Sequence, residues 1–102
     1  MLSPMTLLSD SEIRQRLASL AGWTLGDRAI SRKMTFASFP DAIAFTTRLA
    51  FEAESSDHHP DILINYKRVT LTYSTHSDGG LTVKDFEGAA LADALAAAMG
   101  GK

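Results

Sequence analysis

The sequence predicts an α+β fold: a four-stranded antiparallel sheet with three helices packed on one face. Three observations lead there. Capped segments with helical periodicity open near Ser9, Ser38 and Thr82. Two pairs of β-rich runs lie between them, each pair joined by a short turn. The resulting order, α, ββ, α, ββ, α, puts strands in hairpins separated by helices, which favours antiparallel pairing under a helical layer. No repeat and no linker composition interrupts the 102 residues, so residues 1–102 read as one domain.

The first helix begins at SDSE. Ser9 is a good N-cap and Glu12, three residues on, completes a capping box. Ile13, Leu17 and Leu20 then recur at spacings of four and three, and Gly22 comes where a helix-terminating glycine belongs. Trp23 to Leu25 reads as a short strand, Gly26 to Arg28 as a turn, and Ala29 to Phe36 as the partner strand. Arg32 interrupts the apolar alternation of Ile30, Met34 and Phe36. Its stem is expected to lie over apolar surface with the charge in water.

The second helix opens at Ser38, tolerates Pro40 in its first turn, and reads as a second capping box through Asp41. Phe39, Ile43, Thr46, Ala50 and Ala53 form the expected inner stripe, with Phe45 and Leu49 beside it. Pro60 disfavours helical geometry at His59, so the helix is expected to end around Glu54 to Asp57. Ile62 to Tyr66 is β-rich, Asn65 to Arg68 a turn, and Val69, Leu71 and Tyr73 alternate with Thr70, Thr72 and Ser74. If that phase persists, His76 falls on the threonine face. The last helix opens at Thr82, with Phe86, Ala90, Ala94 and Leu95 as its expected inner face. Its many alanines favour helix.

The composition is 45% hydrophobic and 22% charged, with a formal charge of −2. That opposes nucleic-acid binding through a general positive field. The absence of cysteine removes disulfides and thiolate metal sites. No stretch approaches the roughly 20 apolar residues of a membrane span, and the opening MLSPMTLL lacks a basic n-region. It is expected to be a loose arm or a short first segment, and a cytoplasmic location is the expectation.

Chemistry-bearing residues are concentrated. All three histidines lie between positions 58 and 76, bracketed by Glu54, Asp57, Asp61 and Asp85. A histidine, with an ordinary pKa of about 6.5, both gives and takes protons near neutrality. A dehydration needs this: one group protonates the leaving hydroxyl while another removes a proton elsewhere. On its own, however, His58-His59-Pro60 reads first as a solvated junction between helix and strand. Adjacent side chains on an extended backbone also point opposite ways. Asp85, three residues after Thr82, reads first as a helix cap. Zinc is disfavoured, because His58 and His59 are adjacent and no HExxH is present.

The string EAESSDHHPD, taken with the downstream Tyr66, His76 and Asp85, resembles the pterin-4a-carbinolamine dehydratase family. Glu54 precedes His58, His59 and Pro60 by three intervening residues. Tyr66 comes after five, His76 after nine more and Asp85 after eight more. The Ser74-Thr75-His76 ending, the loop carrying Gly80 and Leu81, and the element order are also similar to the family. The resemblance implies a hydro-lyase acting on 4a-hydroxytetrahydropterins, the adducts left by aromatic amino acid hydroxylases, and giving quinonoid dihydropterin without metal or organic cofactor. It implies His58, His59 and His76 in the pterin pocket, with Glu54, Asp57 and Asp85 as supporting carboxylates. His58 and His76 are expected as the acids facing the C4a hydroxyl from two sides. His59 is expected to bind the ring and assist deprotonation. The expected partner is a small-molecule pterin, with neither nucleic acid nor membrane, in a homodimer or homotetramer. The alternative is a non-catalytic protein-binding or coactivator module of the same fold. One departure is Ile62, where several family members carry an aromatic.

Overall fold

Four antiparallel strands form one sheet in the order β1-β2-β4-β3 in a computed structural model, which describes residues 7–102. The strands are β1 (Thr24–Leu25), β2 (Ile30–Thr35), β3 (Asp61–Asn65) and β4 (Arg68–Tyr73). The helices are α1 (Asp10–Leu17), α2 (Phe39–Ser55) and α3 (Val83–Ala98), and a single 3₁₀ turn spans His76–Asp78. The opening arm falls mostly outside the described residues. Where the description begins, the Leu8 N–H donates to the Leu81 carbonyl at 2.9 Å.

β4 organises the sheet because it pairs on both sides, from Ile30↔Tyr73 to Thr35↔Arg68 with β2 and from Asp61↔Thr72 to Asn65↔Arg68 with β3. Its alternation separates two faces as expected. Val69, Leu71 and Tyr73 are buried with Ile30 and Met34, while Thr70 and Thr72 look out from the opposite, open face. α2 and α3 pack on the buried face through Phe45, Leu49, Phe86 and Ala89, and Ile13 and Leu17 of α1 lean on the same core.

The helix starts are those read from the sequence. Ser9 and Glu12 close a capping box, and the Ser9 backbone N–H, then its hydroxyl, hold the Glu12 carboxyl below its usual pKa. Thr82 and Asp85 close another. At α2 only half a box forms: Ser38 Oγ accepts the Asp41 N–H at 3.2 Å, without the return bond.

Which stripe each helix buries differs from expectation. α2 buries Ala42, Phe45, Leu49 and Ala53; Ala53 is shared with the expected stripe, but the buried centre moves by one residue (about 100°) onto Phe45 and Leu49, read as lying beside it. Phe39, Ile43 and Phe51 are left exposed. α3 buries Asp85, Phe86, Ala89, Ala92 and Ala96, with Ala90 and Ala94 outside. Both helices are apolar on more than one side, so periodicity alone does not choose between stripes.

Arg32 is also corrected. Its guanidinium is not released to water but meets Asp93 of α3 at 2.6 Å, and the Trp23 indole N–H is shared by both oxygens of that carboxylate at 2.9 and 3.0 Å.

Candidate active site

Antiparallel pairing of β3 with β4 brings the histidines to one end of the sheet. Asp61 opens β3 opposite Thr72 near the end of β4. The segment before β3 carries His58 and His59, and the segment after β4 carries His76.

The end of α2 sets the direction of the first segment. Asp57 adopts φ 52, a left-handed conformation usually given to glycine but tolerated by aspartate. The Asp57 N–H donates to the Glu54 carbonyl at 3.2 Å and the His58 N–H to the Ala53 carbonyl at 3.1 Å. This pair of bonds is a Schellman ending. It reverses the chain and sends the His58 ring toward the N-terminus of α3.

There His58 Nε2 lies 2.6 Å from Asp85 Oδ1. Asp85 is fully buried, and its second oxygen accepts from Thr75 Oγ1 at 2.8 Å and from the Thr82 N–H at 3.0 Å. Thr75 has spent its one hydroxyl hydrogen on Asp85, so the 2.9 Å contact with Thr82 Oγ1 has Thr82 as donor. Thr82 Oγ1 in turn accepts the Lys84 N–H at 3.3 Å. Both oxygens of this buried carboxylate are therefore satisfied, and a carboxylate acceptor places the imidazole hydrogen on Nε2. His58 Nδ1 is left to exchange protons or to accept a hydrogen bond. Asp85 both caps α3 and orients His58, two roles that the sequence suggests separately.

The His58 ring lies nearly parallel to Tyr73, 6.1 Å between centroids at 17°. Tyr73 meets Trp23 at 5.9 Å on another side. Gly88 of α3 permits this packing, since a Cβ there would lie 2.5 Å from Tyr73 Cε1. Burial first, then the negative charges of Asp85 and Asp93, push the Tyr73 phenol up to about 12. Tyr73 is therefore a neutral wall behind His58 rather than a base.

The other histidines differ. His59 Nε2 lies 2.8 Å from Glu54 Oε1, in a pair open to solvent. His76 is exposed at the start of the 3₁₀ turn. It lines a cavity of about 370 Å³ on the open face with Asp61, Thr72, Ser74 and the Asp27–Arg28 turn. His58 lines a different cavity, of about 120 Å³, with Ser56, Lys84 and Glu87. His58 and His76 thus do not share a cavity. The Asp57 side chain is exposed, and the contribution visible in the fold is its backbone turn. Among the described residues no cluster of three or more His, Asp or Glu side chains is arranged to hold a metal ion.

Sequence reasoning missed the Thr75 and Thr82 hydroxyls and the Tyr73 ring. Only the Thr82–Asp85 spacing signalled that a polar network begins there.

The chain matches the family model described as pterin 4 alpha carbinolamine dehydratase over residues 6–95. It is 51% identical over 89 residues to a protein of Roseiflexus castenholzii provisionally named pterin-4-alpha-carbinolamine dehydratase, covering 87% of this chain and 96% of the relative. A Chloroflexus aurantiacus protein of the same provisional name is 50% identical over 91 residues, covering 89% and 98%. Among solved structures, the transcriptional coactivator/pterin dehydratase from Brucella melitensis superposes with a TM-score of 0.86 at 38% identity, covering 89% of this chain and 99% of the other. A pterin dehydratase-like protein described as a RuBisCO assembly factor in the alpha-carboxysome aligns at TM-score 0.60 and 25% identity, covering 72% and 86%. The chain belongs to the pterin-4a-carbinolamine dehydratase family.

Proposed function

We propose that this chain eliminates water from 4a-hydroxytetrahydropterins, including 4a-hydroxytetrahydrobiopterin, and so returns the pterin of aromatic amino acid hydroxylases to its recycling route. The observation that carries the reading is the β3–β4 register, which gathers all three histidines at one sheet end. In the reaction the C4a hydroxyl takes a proton and leaves as water. The pair on the adjoining ring nitrogen closes a C=N bond, and the proton on that nitrogen goes to a base. One acid and one base suffice, and both protons balance.

His59 directs its ring to Glu54 at the end of α2. Asp61 shares its cavity with His76. His58 and His76 are the proposed acids, approaching the C4a hydroxyl from two sides, and His59 is the proposed ring-binding group that assists deprotonation. Glu54 supports His59, Asp85 holds and orients His58, and Asp57 acts through its turn.

The deciding experiment is dehydration of chemically generated 4a-hydroxytetrahydropterin, followed optically. A purified protein that leaves the non-enzymatic rate unchanged would defeat the reading.

The proposed assembly is a homodimer or homotetramer. It is supported by the exposed Phe39, Ile43 and Phe51 on the outer side of α2 and by the unpaired edge of β3 with Leu63. A monomeric mass by light scattering at micromolar concentration counts against it. Among the described residues no helix is long and apolar enough to cross a membrane.

A further inference from the structure

The open-face cavity around His76 carries more polar chemistry than proton transfer needs. Asp61 and Thr72 stand directly opposite in the β3–β4 register, so both side chains project from the same face. Ser31, across β4 from Asp61, hydrogen-bonds Thr72 at 3.1 Å and the Leu71 carbonyl at 2.9 Å, which holds this patch rigid. The Ser74 hydroxyl donates to the Arg28 carbonyl at 2.8 Å and fastens the β1–β2 turn over the rim. Asp61 and Arg28 nevertheless belong to none of the ion pairs found among the described residues. Opposite charges outside those ion pairs, both exposed where they line a cavity of about 370 Å³, are polar groups available to orient a small ligand.

We infer that Asp61 is the substrate-positioning residue of this site and recognises the 2-amino-4-oxo edge of the heterocycle. The inference rests on the pterin reading above. That edge presents two donors side by side, the ring N–H and the exocyclic amino group, and then an oxygen acceptor. A carboxylate offers two acceptor oxygens at matching separation. Asp61 is favoured over Asp27 because it stands in a paired strand rather than in a turn. Recognition of this edge selects the ring system and leaves the C6 side chain of the substrate unread.

The test compares binding of two fluorescent, unreactive rings: an oxidised pterin and the corresponding lumazine, which has oxygen in place of the 2-amino group. Wild-type protein is expected to prefer the pterin by roughly 10- to 100-fold, the worth of a charge-assisted hydrogen bond. Asp61→Asn is expected to lose most of that preference. In turnover the same variant raises KM about tenfold or more, while kcat stays within about threefold. A variant that keeps the wild-type pterin preference overturns the inference and leaves the dehydratase reading intact. So does loss of preference in Asp27→Asn but not in Asp61→Asn. A wild-type protein that binds neither ring overturns it as well. Selective pterin binding without dehydration would instead remove the proposed reaction and keep the recognition role.

Discussion

The imidazole of His58 reaches the fully buried carboxylate of Asp85 at 2.6 Å, and that carboxylate also closes the cap of α3. One side chain thus ties the end of α2 to the start of α3. Removing it leaves the Thr75 hydroxyl, the Thr82 N–H and His58 without their acceptor. Asp85→Ala is expected to destabilise the fold by about 3–5 kcal/mol, the cost of breaking a buried pair from one side. Asp85→Asn is expected to cost about 1–3 kcal/mol, because one of its two positions becomes a donor facing donors. Urea unfolding measures both. A loss under about 0.5 kcal/mol for Asp85→Ala, typical of neutral surface substitutions, would refute the strut.

For turnover, His58→Ala and His76→Ala are each expected to lower the rate by roughly 10²–10⁴. His58→Ala combines lost packing on Tyr73 with lost orientation, so part of its effect is expected in stability rather than in kcat alone. Steady-state rates on the carbinolamine, together with unfolding curves, separate the two. Full activity in both His58→Ala and His76→Ala would dismiss the proton-exchanging pair.

Asp57 separates a backbone role from a carboxylate role. Glycine adopts its left-handed conformation without penalty, so Asp57→Gly is expected to retain stability within about 0.5 kcal/mol and turnover within about threefold. A β-branched residue does not, and Asp57→Val is expected to cost about 1–2 kcal/mol. A tenfold loss of rate in a fully stable Asp57→Gly would restore the carboxylate to the chemistry.

Tyr73 predicts an alkaline limit. Its phenol is held up to about 12 in the fold, by burial before charge, against 10.0 in the unfolded chain. The fold therefore favours the protonated form. That contribution is complete below pH 10, declines as pH rises through about 12, and is lost above it. Tyr73→Phe is expected to lose less stability than wild type across this window. Unfolding midpoints recorded at steps from neutral pH to about 12 report it. Parallel curves for the two proteins would mean that Tyr73 does not titrate with the fold.

Features that depend on near neighbours were legible in the chain alone. Ser9, Ser38 and Thr82 start helices because each cap bonds within three residues. β4 was legible because strict alternation survives in a strand buried on one face. The histidines and their carboxylates were legible as a set through their spacing. Tertiary structure decided the rest. α2 and α3 each carry more than one apolar stripe, and only the sheet beneath them selects which is buried. Arg32 finds Asp93 sixty-one positions away. His58 finds Asp85 twenty-seven positions away, while His59 turns to Glu54. Two adjacent, identical side chains acquire different partners because the Asp57 turn and the β3–β4 register aim them differently, and no local propensity encodes that choice.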